Sequence, residues 1–322
     1  VLLLAASAAA AWWFLEDRGT WPRGEALGSA LRPLVEGKDP ERALVARAIW
    51  ENYLETRANA SRWSGVYWGF TFTAAAMSAL AATKNPQHDA VIAAARKFLI
   101  GHQSDEEEGY KTDHVYYGGI GYGGGERPDL SNLYMSLEGL KSTSSDPKDP
   151  VWQKALTFVN RSQNRSESND QKWAANDGGF TYRPGTNPPE YDNGTSSYGG
   201  MTAAGLLSLL FAGVDKTDPR VQAAYKWMTA NYTLEFNPGT NKKHGLFYFY
   251  NAFSKVMAAY GEDTFTDGKG QTHNWRNELA QKLMSLQSAD GSWANADSKA
   301  WWEDRPQLVT AWSVIALEQA LK

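Results

Sequence analysis

Residues 197–232 read SYGGMTAAGLLSLLFAGVDKTDPRVQAAYKWMTANY. From Ala203 to Ala212 the residues are apolar around nearly the whole of a helical circumference, which predicts a helix buried on all sides. Gly213 follows, where a left-handed residue ends a helix without a Cβ penalty. Asp218-Pro219 comes next, an N-cap acceptor with proline at the first helical position. Beyond it Val221, Ala224, Tyr225 and Met228 fall on one helical stripe with polar residues between, the pattern of a half-buried helix. One unit thus contains a fully buried helix and a two-faced one, and two such kinds of helix imply two layers.

The same grammar recurs along the chain. Two-faced helices are expected in residues 39–57, 87–103, 149–163, 218–232 and 274–287, three of them opened by Asp-Pro at Asp39, Asp149 and Asp218. More apolar helices are expected in residues 69–83, 129–143, 198–213, 245–261 and 307–322, with Gly213 and Gly261 as end signals. The joints repeat as well. Gln103 is followed by GGIGY (118–122), Gln163 by DGGFTY (177–182) and Gln287 by DGSW (290–293), while the fourth joint, with Asn231 and HGLFYF (244–249), is degenerate. Glycine lets the backbone reverse there, and the aromatic behind it (Tyr122, Phe180, Trp293) is expected to pack over the Gln amide. The fold class is therefore all-α, an outer ring of helices around an inner one.

QSADGSW (287–293) resembles the QW motif of squalene-hopene and oxidosqualene cyclases. The paired-helix grammar is similar to the (α/α) toroid those enzymes share with protein prenyltransferase β-subunits. More narrowly, residues 118–140, 197–213 and 301–321 resemble bacterial prenyltransferase/squalene-oxidase-repeat proteins. The resemblance covers about residues 40–322 and implies a toroid of five to six outer–inner helix pairs, terpenoid cyclase/protein prenyltransferase-like. It specifies a fold far better than a reaction.

The chemistry of those families needs residues that are largely missing. A class II cyclase protonates its substrate with an Asp-x-Asp-Asp run, and no such run occurs. The nearest candidate acids are Asp129 in PDLSN and Asp192 in EYDNGTSSYGG, each without a second carboxylate to set its acidity. Asp129 equally suits a helix N-cap, and Asp192 an Asx turn. The zinc site of a protein prenyltransferase needs a cysteine thiolate, and the sequence has no Cys. Its five His (His88, His102, His114, His244, His273) show no paired spacing, so no metal is expected, and no cofactor. SDEEEG (104–109) reads as a solvated loop. Residues 262–278 miss the register of a calcium loop, with Phe265 and Asn274 where oxygen ligands belong, and read as a hairpin or turn. Glu190/Asp192 and Glu303/Asp304 are the carboxylate pairs that a carbohydrate-active α/α-barrel would draw on.

Aromatic residues carry what remains; the sequence has 14 Trp, 15 Tyr and 12 Phe. Tyr117, Tyr182, Tyr191, Tyr198, Tyr248, Tyr250, Trp301 and Trp302 lie at joints or at the starts of apolar helices, where a closed ring would gather them at one mouth. With Arg305, expected to pair with Glu303 or Asp304, they are the candidate ligand-binding residues for an apolar or isoprenoid ligand. Net charge is −4, which offers no basic field for nucleic acid.

The first fifteen residues, VLLLAASAAAAWWFL, are apolar or small. They suit a membrane anchor with Trp12 and Trp13 at the interface, a buried helix, or a signal segment. The expected organisation is an apolar N-terminal helix over 1–18, a linker or partial helix over 19–38, and the toroid domain over 39–322. With the anchor, the domain is expected on the extracytoplasmic (periplasmic) side, beside a membrane-complex protein partner. Five Asn-x-Ser/Thr sequons (Asn59, Asn160, Asn164, Asn193, Asn231) lie in or near loops. Three function classes stand open: a non-cyclising binding or scaffold subunit, a cyclase-like enzyme using one Asp, and a carbohydrate-active enzyme.

Overall fold

The structure, a computed structural model, describes residues 69–122, 127–143, 146 and 148–322, with side chains from residue 73 onward. The expected N-terminal helix, the linker, Asp39 and the helix over 39–57 lie outside the described residues. Among the described residues there are nine α-helices: α1 (Gly69–Ala82), α2 (Asp89–Ile100), α3 (Leu130–Ser142), α4 (Pro150–Ser162), α5 (Gly199–Phe211), α6 (Pro219–Ala230), α7 (Leu246–Tyr260), α8 (Trp275–Leu286) and α9 (Pro306–Leu321). They are all-α apart from one small hairpin.

Helix ends sit where their chemistry places them. Asp149 and Asp218 accept from the backbone N–H two residues on, at Val151 (3.1 Å) and Arg220 (2.9 Å), and so satisfy a first-turn donor. Gly213 and Gly261 stand at φ +81° and +82°, closing α5 and α7 in the left-handed region. The hairpin pairs β1 (Thr264–Thr266) with β2 (Thr272–Asn274), Phe265 opposite His273. Asp267 closes its loop by accepting from the N–H groups of Lys269 and Gln271, both at 2.8 Å.

The protein divides into two compact units, residues 1–152 and 153–322. In the first, α1 packs on α2 and α3. Gly139 of α3 makes that approach possible, because a Cβ there would lie 2.9 Å from the Ala74 carbonyl oxygen. In the second unit α5, α7 and α9 lie side by side in that order, with α6 against α5 and α8 against α9. Eleven consecutive residues of α5, Gly199 to Leu209, are buried, and Gly205 gives way to the ring of Phe180. In α6 burial falls mainly on one side, at Val221, Ala224, Trp227, Met228 and Thr229.

The last apolar helix departs from the expectation. In α9 only Val309, Ser313, Ala316 and Ala320 are buried, a single stripe, and Val314 and Leu321 are exposed. The reason is positional: α7 and α8 cover one side of α9, and among the described residues of its unit no further helix lies beyond it.

Two of the glutamine joints, at Gln103 and Gln163, repeat atom for atom. Gln103 Nε2 donates to Gly118 O (3.0 Å) and to Val151 O (3.1 Å) in the first turn of α4. Gln163 Nε2 donates to Gly178 O and to Arg220 O in the first turn of α6, both at 2.9 Å. Gly118 and Gly178 share φ near +85° (83° and 87°). The flanking backbone bonds match too: Gly118 N to Ser104 O and Ser104 N to Gly119 O, against Gly178 N to Asn164 O and Asn164 N to Gly179 O. Each buried glutamine therefore ties its own joint to the start of the next two-faced helix. The degenerate joint does otherwise. Asn231 Nδ2 folds back on Trp227 O, and Asn237 Oδ1 with Pro238 O caps the start of α5 through Gly200 N and Gly199 N.

Candidate functional site

The joints before α7 and α9 bring several expected residues together within the second unit. Tyr191, which ends a 3₁₀ turn (Pro189–Tyr191), lies with its ring centroid 4.6 Å from Tyr198, 5.2 Å from Trp301 and 6.4 Å from His244. Its hydroxyl donates to His244 O (3.1 Å) and accepts from Asn237 Nδ2 (3.1 Å). Burial pushes the hydroxyl far above the ordinary tyrosine range, with the nearby Glu303 carboxylate adding to the effect. Tyr191 is thus a neutral group at any working pH. His244 Nδ1 lies 2.6 Å from Ser298 Oγ, and Gly245, at φ +67°, lets α7 start close against the hydroxyl of Tyr191.

Trp301 forms the outward part of the cluster, and Trp302 follows it in the chain. Both have left-handed backbones, φ +52° and +58°, a conformation that bulky residues rarely take and that costs about 1–3 kcal/mol at each position. They are 37% and 42% exposed, which leaves a large part of each ring in solvent.

The loop that holds them is closed by Glu303, itself fully buried. Glu303 Oε2 accepts from Leu246 N (3.0 Å) and Asn295 Nδ2 (2.7 Å), and Oε1 from Tyr248 N (2.9 Å). The carboxylate therefore caps the start of α7 from 57 residues away, where helix N-termini favour negative charge. Asn295 N donates in turn to Glu303 O (2.6 Å), pinning the two ends of the loop together. Burial pushes the carboxyl up to about 7, against the pull of its N–H donors.

The other expected residues stand apart from this cluster or only border it. Asp129 is fully buried as the N-cap of α3, its Oδ1 accepting from Asn132 N (2.9 Å) and its Oδ2 from Asn132 Nδ2 (2.7 Å). Asp192 is exposed on the turn after Tyr191, at φ +49°. Tyr117 is buried and donates to Glu106 Oε1 (2.9 Å). Tyr182 is half-buried with the Arg183 guanidinium 4.9 Å from its ring centre. Tyr248 meets Trp312 edge to face at 5.8 Å, and Tyr250 is fully buried, donating to Leu234 O (2.5 Å). Arg305 lies 4.0 Å from Asp304, while Glu303 turns inward to α7. Glu190 lies on the surface, where its backbone carbonyl accepts from Lys242 Nζ (2.7 Å).

Sequence reading passed over His244, Asn237, Asn295 and Ser298 as members of this cluster. Only Asn237-Pro-Gly carries a local signal, that of a turn; His244 and Ser298 meet across 54 residues, and Asn295 joins Glu303 eight residues on to Lys243 O 52 residues back. Chemically the site offers tilted, closely packed rings, a neutral tyrosine hydroxyl and a histidine. Its most buried carboxylate already accepts three hydrogen bonds. Among the described residues no group of three or more His, Asp or Glu could hold a metal, and no helix is long and apolar enough to cross a membrane. The sequence matches no protein-family model and no curated protein.

Proposed function

We propose that this protein is a non-cyclising, cyclase-like (α/α) toroid of five to six outer–inner pairs that works as a binding or scaffold subunit. Residues 1–15 tether it to a membrane, with the domain on the extracytoplasmic (periplasmic) side. Its aromatic mouth receives an apolar or isoprenoid ligand, or a segment of a membrane-complex partner. The observation that carries this reading is the Trp301–Trp302 pair: two large rings held in a costly backbone conformation and more than a third exposed, with Trp301 beside Tyr191. Supporting the toroid are the glutamine joints, which link one two-faced helix to the next by the same pair of bonds. Supporting a non-catalytic role are the candidate acids, Asp129 engaged as a helix cap and Asp192 on an open turn.

The test uses the intact protein with squalene and with prenyl diphosphates. No product is expected, whereas titration should change tryptophan fluorescence. Trp302→Gly should weaken that binding about two- to thirtyfold, the range of one ring contact of roughly 0.5–2 kcal/mol. Turnover that stops with Asp129→Asn or Asp192→Asn, in a variant that stays folded, would replace this reading with the enzyme. Hydrolysis of a polysaccharide would replace it with the carbohydrate-active one.

A further inference from the structure

The loop between Tyr182 and Tyr198 contains the sole Asn-Gly dipeptide of the sequence, Asn193-Gly194. Three features meet there. Among the described residues the Gly194 N–H donates to no protein group, and its turn is exposed. Gly194 stands at φ +58° with nothing within 4 Å of where a Cβ would be, so no neighbouring group crowds that side of the turn. The amide oxygen of Asn193, Oδ1, accepts from Asn187 Nδ2 at 3.0 Å. Asn187 is held firmly: it is buried, Nδ2 also donates to Ser196 O (2.8 Å), and Oδ1 accepts from Tyr182 N (3.0 Å). A fixed donor on a carbonyl oxygen stabilises the negative charge that gathers there during attack at the carbon.

We propose that Asn193 is a self-modification site, at which the Gly194 amide nitrogen closes on Asn193 Cγ and converts the asparagine to aspartate or isoaspartate. The step balances without any partner but water. Solvent base takes the Gly194 amide proton, the bond from that nitrogen to Cγ forms, and the Cγ–Nδ2 bond of Asn193 breaks as the leaving nitrogen takes a proton from water and departs as ammonia. Water then opens the cyclic imide at either carbonyl. Opening at the former backbone carbonyl leaves a backbone longer by one carbon. That carbon enters the turn closed by Ser196 N and Asn193 O (3.0 Å), two residues from Tyr191. The modification therefore loosens the loop that holds Tyr191 against His244 and Trp301, and does so whether or not that cluster binds a ligand.

The experiment incubates the intact protein in mildly alkaline buffer, folded and in urea, and counts aspartate and isoaspartate at position 193 by peptide mapping. The folded protein should convert at least as fast as the unfolded one. Asn187→Asp, which keeps the acceptor for Tyr182 N but loses the donor, should slow the folded protein about fivefold and leave the urea rate unchanged. A folded protein that converts more slowly than the unfolded one overturns the proposal. So does a folded Asn187→Asp variant that matches the parent rate.

Discussion

The joint at Gln163 and the joint at Gln287 begin alike in sequence and end differently in space. Both have a glutamine at the end of a two-faced helix and a following Asp-Gly whose glycine carbonyl accepts from the glutamine Nε2 at 2.9 Å. Gln163 is fully buried and also reaches Arg220 O in the next helix of its kind. Gln287 is exposed, and its amide stays within its own turn. Gln103, with its reach to Val151 O, sides with Gln163. The glycine bond is thus a local turn device, and the second bond is the staple from one joint to the next two-faced helix. Among the described residues no further two-faced helix follows α8, and the staple lapses. In its place the last joint uses Glu303 and Asn295, which bind backward onto α7 and the segment leading into it.

The largest effect should come from breaking a staple. Gln163→Ala leaves the Gly178 and Arg220 carbonyls without their buried donor and opens space in the joint. A loss of about 2–4 kcal/mol of unfolding free energy is expected by urea titration. A loss below about 1 kcal/mol would mean that the bond to Arg220 holds nothing together.

A smaller effect, distinct in its pH dependence, belongs to the backward contact. Glu303 has a folded value of about 7 against an ordinary 4.5, so the folded protein holds a proton there that the unfolded one releases. That contribution is fully present below about pH 4.5 and is lost as pH rises through about 7. Stability should fall by on the order of 2 kcal/mol between about pH 5 and 8. The carboxylates held below their usual range, Asp170 by Arg161 and Asp218 by Arg220, act on the other side, since their contribution is lost only as pH falls below about 4. Glu303→Gln should flatten the slope across that upper window. A variant as steep as the parent would assign the slope to another group.

This contrast also explains how far the sequence could be read. Helix positions were legible because their signals are local: Asp149 and Asp218 cap, Gly213 and Gly261 stop, and the apolar run of α5 admits little else. Asp129 as an N-cap was legible for the same reason. The second bond of each staple was not, because its acceptor lies 48 or 57 residues on and is a backbone carbonyl that any residue could supply. Glu303 read as a candidate carboxylate of a cleft, since nothing near it in sequence announces that α7 needs a cap. The left-handed Trp301 and Trp302 run against propensity, and such departures concentrate where a structure serves something besides its own stability. The open face of α9 was hidden because composition reports how apolar a helix is, while exposure depends on which neighbours the topology supplies.

The smallest expected effect is the most discriminating. Gln287→Ala removes the same side chain as Gln163→Ala from a joint that shares the bond to its glycine. If the glutamine mattered through its turn, the two substitutions would cost alike. Gln287 gives up one solvent-exposed bond to Gly291 O, and water can take over both the donor and the acceptor. Its loss should therefore stay within about 0.5 kcal/mol, the range of surface substitutions away from special features. Equal losses at the two positions would move the energy from the link between helices into the turn itself, and the repeat would then be a series of similar corners with no staple between them.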